Sequence, residues 1–288
     1  MDLRARPYRS VLYIPGSRDR ALDKARDLPV DAIIFDLEDA VAADEKVNAR
    51  ALLATRLAEG GYGGRAQIVR INGMDTPWGA DDLDAIAAIG PEAILLPKVG
   101  SVEDVAAVAA RLDAIPAARA TRLWAMMETP AGILNAAAIA RAPRMAGFVM
   151  GTNDLAKELG SRTRAAMHTA LQHCLLAARA AGIVCVDGVY NAFKDEEGLA
   201  AECAEGRDFG FDGKTLIHPA QVAIANAAFA PSPEEIALAR RQIAAYEEAK
   251  AQGQGVAVVD GKIVENLHVD TARATLAKAD AIAEGEAA

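Results

Sequence analysis

Cysteine is scarce in this chain, and the pattern of what little there is excludes two common roles. Cys174, Cys185 and Cys203 are odd in number and lack C-x-x-C spacing. Neither a disulfide framework nor a zinc site fits them, and they read as reduced core thiols. Histidine is equally thin: His168, His173, His218 and His268 include no H-x-x-x-H pair, which removes the two-histidine helical metal site. Long apolar runs are missing, since none approaches the ~20 residues of a membrane span. Met1-Asp-Leu-Arg-Ala-Arg-Pro7 has no signal-peptide core either, so a cytoplasmic protein without a membrane partner is expected. Basic charge is in deficit, 31 Lys and Arg against 40 Asp and Glu, which argues against a nucleic-acid partner. No G-x-G-x-x-G follows the first β-rich run, and Pro15-Gly-Ser-Arg18 is a poor substitute. An open doubly wound sheet is therefore the second choice of fold.

What is present is a repeated alternation. With 52% hydrophobic and 25% charged residues the composition is that of an ordinary globular protein. The 288 residues suffice for one α/β barrel of about 250 residues, with some to spare. Apolar β-rich runs recur at 10–15, 32–38, 66–72, 93–99, 122–128, 146–151, 182–187 and 213–218. Near-continuous apolar strands belong to parallel sheets covered on both faces, and Ala-rich segments of helical period, such as 102–112 and 164–181, lie between them. The reading is an α/β protein, a (β/α)8 TIM barrel over 1–230 with a C-terminal extension over 231–288.

In such a barrel the C-terminal ends of the strands form the active face, and here those ends are rich in charge. Trp124-Ala-Met-Met127 hands over to Glu128, with Thr129-Pro130 stopping the strand. Gly147-Phe-Val-Met150 hands over to Gly151-Thr-Asn-Asp154. Neighbouring strands would bring Glu128 and Asp154 side by side, where two carboxylates repel unless a proton or a cation sits between them. A hard divalent ion, most simply Mg²⁺ with Mn²⁺ as a substitute, resolves the conflict; the bland alternative is two acids capping the helices that follow. Asp36, Glu38, Asp39, Arg70, Asn72, Lys98, Asp187 and His218 share this rim. The Arg70 fork matches a substrate carboxylate in two parallel hydrogen bonds, and the competing assignment is a structural ion pair with Asp36 or Glu38. Lys98, among so many acids, stays charged; that suits it to holding Glu38 rather than to forming a Schiff base. His218 before Pro219 is expected to be structural.

Several ordered motifs then carry a resemblance: Arg9-Ser10 with Pro15-Gly16, Phe35-Asp-Leu-Glu-Asp-Ala-Val41, Arg70-Ile-Asn72, Leu96-Pro-Lys98, Met127-Glu-Thr-Pro-Ala-Gly132, Gly151-Thr-Asn-Asp-Leu155 and Ile217-His-Pro-Ala-Gln221. Together they resemble the citrate lyase β-subunit-like branch of the HpcH/HpaI aldolase superfamily, which includes malyl-CoA lyases and (3S)-malyl-CoA thioesterases. The resemblance implies Mg²⁺ held by Glu128 and Asp154, Arg70 on the substrate carboxylate, and coenzyme A entering beside the N-terminal loop. Arg18 and Lys24 are then candidate contacts to its phosphates, their alternative being plain solvated charge.

The tail departs from a bare barrel. Ser232 can cap a helix opening at Pro233 and running to Lys250. Asp260-Gly261, between Val256-Ala-Val-Val259 and Lys262-Ile-Val264, signals a hairpin. A hairpin appended to a finished barrel is expected to lack a core of its own and to lie across something. In the resembled family this segment is a lid over the active site of an adjacent subunit in a trimer or hexamer, and it carries an acid. Here Glu265 stands where malyl-CoA lyases look to have Asp. The resemblance therefore implies hydrolysis of a malyl-CoA-type thioester, (3S)-malyl-CoA to (S)-malate and coenzyme A, with Glu265 as general base. The first alternative is carbon–carbon lysis of malyl-, β-methylmalyl- or citramalyl-CoA, releasing glyoxylate or pyruvate and an acyl-CoA. The second is a citrate-lyase β-type subunit working inside a larger complex.

Overall fold

The structure is a computed structural model that describes residues 6–287; residues 1–5 and 288 of the two expected segments, with most of the stretch read above for a signal peptide, lie outside it. Eight parallel strands close into a barrel in sequence order: β1 Ser10–Pro15, β2 Ala32–Asp36, β3 Ala66–Arg70, β4 Ala93–Leu96, β5 Arg122–Met127, β6 Met145–Met150, β7 Val184–Asp187 and β8 Gly213–Leu216. Pairing of Ser10 with Lys214 through Leu12 with Leu216 makes the closing seam. The fold is the (β/α)8 barrel. All five residues of β2 are buried, because one face of the strand meets the barrel interior and the other the helices, which is why the run reads as continuously apolar.

The strands end earlier than their apolar runs suggest. Glu38, Asn72, Lys98 and Glu128 fall just beyond the last paired residue, and Asp154 sits in the first turn of the helix after β6. The helices around the barrel are α1 Asp19–Lys24, α2 Lys46–Glu59, α3 Gly79–Ala87, α4 Val102–Asp113, α5 Pro130–Leu134, α6 Ala136–Ile139, α7 Thr152–Leu159, α8 His168–Ala181, α9 Glu196–Phe209 and α10 Val222–Phe229. Local chemistry sets their starts. Ser101 and Asp104 form a reciprocal capping box for α4, while Thr129 caps α5 and Pro130 occupies its first position, where no N–H is needed. The segment 164–181, expected as one helix, divides into a 3₁₀ turn Arg164–Met167 and α8.

Residues Tyr8–Phe229 form one compact unit, and the chain from Ala230 belongs to a second. The second holds α11 Pro233–Ala251, opened by a Ser232–Glu235 capping box, the strands β9 Ala257–Val259 and β10 Lys262–Val264, and α12 Asn266–Ala287. Asp260 (φ 51°) and Gly261 (φ 75°) make the tight turn between β9 and β10, the two left-handed positions a two-residue hairpin loop needs. The expectation that this hairpin lacks a core is corrected. Ala249, Ala257, Val264 and Val269 are buried together, with Ile243 and Tyr246 packed on them. The partner that sequence reading did not supply is α12, whose Val269 closes the cluster. Among the described residues no helix is long and apolar enough to cross a membrane.

Gly147 in β6 shows how tightly the barrel wall is filled. A Cβ there would stand 2.5 Å from Trp124 Cδ2 on β5, at the point where the pairing of these strands shifts register. Trp124 is 2% exposed and has nowhere to go. Gly147→Ala is expected to lower stability by about 1–3 kcal/mol, the usual cost of overpacking; denaturant unfolding checks it, and a variant as stable as the parent would show that the indole can move.

Candidate active site

A cavity of ≈ 290 Å³ opens at the C-terminal ends of the strands, lined by Tyr13, Arg70, Met126, Glu128 and Asp154, with Asp36 and Asp39 beside them. The register explains the first contact. Asp36 and Arg70 are paired neighbours at the ends of β2 and β3, so their side chains leave the same face of the sheet. Arg70 Nε and Nη2 donate to the two Asp36 oxygens, both at 2.7 Å. The same carboxylate also accepts the N–H groups of Glu38 (2.9 Å) and Ala40 (3.0 Å), which fixes the loop after β2. The fork that sequence reading aimed at a substrate is therefore occupied by Asp36. What is left is the Nη1 end, 2.9 Å from Glu38 Oε2 and 3.4 Å from the exposed Asp39.

From Glu38 the chain of charge continues to Lys98, whose Nζ donates to Glu38 Oε1 at 3.0 Å. Lys98 has φ 51°, a left-handed conformation that a residue with a Cβ adopts at some cost. That conformation accompanies a second bond: the Lys98 N–H donates to Glu128 Oε1 at 2.8 Å. The other Glu128 oxygen lies against Gly151, where an added Cβ would stand 2.4 Å from it. A glycine just after β6 thus lets the Glu128 carboxyl reach across to the start of α7, whose first turn carries Asp154.

Glu128 is 2% exposed. Burial pushes its carboxyl up to about 7; the charges of Glu38 and Asp154 add to the rise, while the Lys98 N–H and Arg70 oppose it. Such a group favours a proton or a cation over standing charged and alone. Its neighbours are oxygen donors with no thiol or imidazole, which suits a hard divalent ion. Among the described residues no cluster of three or more His, Cys, Asp or Glu forms a complete metal cage. Two carboxylates leaving the remaining positions to water and substrate is how Mg²⁺ is usually held.

The other expected residues divide. Asp187 does not line the cavity: it is fully buried, bonded to Arg164 (3.0 and 2.9 Å) and to the equally buried Lys214 (3.1 Å). Its position at a strand end was legible, but its face was not, and the cations that claim it lie outside the rim. His218 Nδ1 accepts the Ala220 N–H at 3.2 Å, and Phe193 stacks on its ring. Arg18 and Lys24 are exposed at the start and end of α1. Glu265 belongs to the second unit; it is exposed, and its N–H donates to His268 Nδ1 at 3.0 Å. The three cysteines are buried, and burial pushes the thiols of Cys174 and Cys203 up to about 12 and about 11, which leaves them unreactive.

Sequence reading missed Lys46 and Tyr13. Lys46 is buried, with Nζ donating to Leu37 O (3.0 Å), Glu38 O (2.7 Å) and Asn72 Oδ1 (2.7 Å), so it clamps the loop that carries Glu38. A lysine opening a helix gives no signal of that. Tyr13 could have been found, since it is the one polar residue between Val11 and Pro15 on a strand whose end faces the rim.

The raised Glu128 carboxyl makes a prediction for metal-free protein. Its folded value, about 7, lies above the ordinary 4.5, so the stability it contributes is present below that ordinary value and lost as pH rises through 7. Glu128→Gln removes the titration. In chelator, the melting temperature of the variant relative to the parent is expected to rise by several degrees between pH 5 and pH 8; a difference that does not change with pH would show that Glu128 does not titrate there.

Residues 9–219 match the model of the HpcH/HpaI aldolase/citrate lyase family. The chain is 67% identical over 286 residues to (3S)-malyl-CoA thioesterase of Cereibacter sphaeroides, covering 98% of each. It is 35% identical to L-malyl-CoA/β-methylmalyl-CoA lyase of the same species, covering 96% of each. Among solved structures, protein CitE from Mycobacterium tuberculosis in complex with magnesium, acetoacetate and coenzyme A aligns with a TM-score of 0.80 at 30% identity, over 96% of this chain and 99% of that one. A closed eight-stranded barrel, acidic groups at adjacent strand ends and a family match across three-quarters of the sequence agree: the chain belongs to the HpcH/HpaI aldolase/citrate lyase family.

Proposed function

We propose that this chain hydrolyses a malyl-CoA-type thioester, (3S)-malyl-CoA to (S)-malate and coenzyme A, in the cytoplasm and with Mg²⁺. The observation that carries the choice of reaction is the gap between 67% identity to a thioesterase and 35% to a lyase, each over nearly the whole chain. Glu128 and Asp154 would hold the metal, which supplies Lewis acidity toward the oxygens of the hydroxy acid when bound; Mn²⁺ would substitute for it by charge and ligand preference. Arg70, its fork locked on Asp36, meets the terminal carboxylate of the substrate with its Nη1 end. Asp39, the exposed and most distant partner there, is the contact a substrate carboxylate displaces at least cost. Lys98 and Glu38 keep Glu128 in place.

Coenzyme A is assigned to the side of the rim after β1, with Arg18 and Lys24 at its phosphates. Water adds to the thioester carbonyl carbon, the carbon–sulfur bond breaks, and the thiolate leaves with a proton. Glu265 is assigned as the base that takes the proton from water, reaching the site from a neighbouring subunit of a homotrimer or homohexamer. The magnesium and coenzyme A bound to the related CitE protein support both ligands for this chain.

Product analysis tests the reaction. The purified chain, given malyl-CoA and Mg²⁺, is expected to yield malate and free thiol, and exhaustive chelation, Glu128→Gln or Asp154→Asn is expected to remove most of this. Glyoxylate with acetyl-CoA as main products would make it a lyase, and activity on no free coenzyme A thioester would point to a subunit of a larger complex. Glu265→Gln is expected to slow hydrolysis by about 10²-fold or more, the usual weight of a general base. Malate formation at the parental rate in that variant would return Glu265 to the solvated surface.

A further inference from the structure

The cavity contains a donor that the reading above leaves unused. Tyr13 lies on β1 and lines the cavity with Arg70, Glu128 and Asp154. Its ring is stacked on the Arg70 guanidinium at 4.9 Å, so the hydroxyl is carried at a fixed place. That hydroxyl donates to Met126 Sδ at 3.4 Å, and a thioether is a weak acceptor. Met126 is two residues before Glu128 on one extended segment, so both face the barrel interior, with Met126 one layer deeper. The phenol therefore reaches the floor of the cavity beneath the candidate metal carboxylates.

Most of the other lining side-chain donors already have oxygen partners. Arg70 is bound to Asp36 and stands against Glu38 and Asp39. Asn153 and Asn191 bond each other, at 2.7 and 3.3 Å. Thr215 Oγ1 donates to the Asp187 carbonyl at 2.9 Å. Tyr13 is left as the floor donor whose present partner is easily exchanged. Burial raises its pKa, and the carboxylates of Asp36, Glu128 and Glu38 add to this against Arg70, so the phenol keeps its proton throughout the working range.

We infer that the Tyr13 hydroxyl recognises the carboxylate end of the hydroxy acid, exchanging its bond to the Met126 sulfur for one that it donates to a substrate carboxylate oxygen. The inference rests on the reading of the ligand as a hydroxy acid seated between Arg70 and the Glu128–Asp154 pair. A neutral donor to sulfur becomes a charge-assisted bond to oxygen, roughly twice as strong as a neutral one. It adds recognition of an anion without adding charge to the floor.

Tyr13→Phe removes the hydroxyl and keeps the ring on Arg70. Calorimetric titration of the Mg²⁺-saturated protein with (S)-malate, and separately with coenzyme A, needs no turnover, so its outcome is independent of whether malyl-CoA is hydrolysed. The variant is expected to bind malate about tenfold more weakly, which is ~1.4 kcal/mol, and coenzyme A within twofold of the parent. The stoichiometry of each titration reports the folded fraction, so a partly unfolded sample cannot imitate the result. Malate affinity within twofold of the parent, equal weakening of both ligands, or no malate binding by the parent protein would overturn the inference.

Discussion

The buried pair of Asp36 and Arg70 is the contact on which the rest of the barrel mouth depends. It joins the ends of β2 and β3, and the same carboxylate takes the N–H groups of Glu38 and Ala40, so one aspartate sets both the guanidinium and the loop beside it. Glu38 then holds Lys98, and Lys98 holds Glu128 through its main chain. Arg70, Asp36 and Glu38 are all under 10% exposed, so removing one member would leave its partner's charge largely buried and unpaired. Breaking such a pair costs about 3–5 kcal/mol. The pair is better understood as positioning than as stabilisation, because well-packed apolar residues could fill the same space at similar or lower free energy.

The mouth carries more negative charge than its own cations balance. Asp36, Glu38, Asp39, Glu128 and Asp154 face Arg70 and Lys98, and burial raises the carboxyls of both Glu38 and Glu128. Part of that load is met by a third cation: buried Lys46 lies within the field of Asp36, Glu38 and Asp39 and donates to the Leu37 and Glu38 carbonyls and to Asn72 Oδ1, while the Asn72 amide nitrogen donates to Asp82 at 2.6 Å. The remainder is what a divalent cation would neutralise. A site arranged in this way is least comfortable without its ligand, and a fold can hold it only because the strands beneath are rigid and fully packed.

The barrel was legible because each strand is apolar on both faces and each run stops at a charged or loop-forming residue. The acidic ends, Glu128 and Asp154, were legible for the same reason: burial in a two-sided sheet makes any carboxylate at a strand end conspicuous. Which way a strand-end residue faces was not legible. Asp187 and Asp36 look alike in sequence, yet one meets Lys214 and Arg164 away from the cavity and the other meets Arg70 within it. Partners so distant in sequence leave no local signal. The second unit was half legible, because the capping box at Ser232 and the turn at Asp260-Gly261 are local, whereas α12 is an alanine-rich run in which a few residues such as Val269 do the packing.

Lyase and thioesterase relatives share this family, so the choice between breaking a carbon–carbon bond and adding water cannot rest on the groups that grip a hydroxy acid alone. On the proposed reading it rests on what delivers or withholds a proton at the thioester end. A C-terminal unit with its own buried cluster can change a surface acid without disturbing the barrel core. Glu265, the base assigned in the proposed reaction, has its N–H and carbonyl tied into the start of α12 through His268 and Val269, while its side chain is exposed. If Glu265 acts as proposed, its extra methylene relative to an aspartate moves the carboxylate by about 1 Å from that anchor, a difference of the size that changes which atom a base can reach.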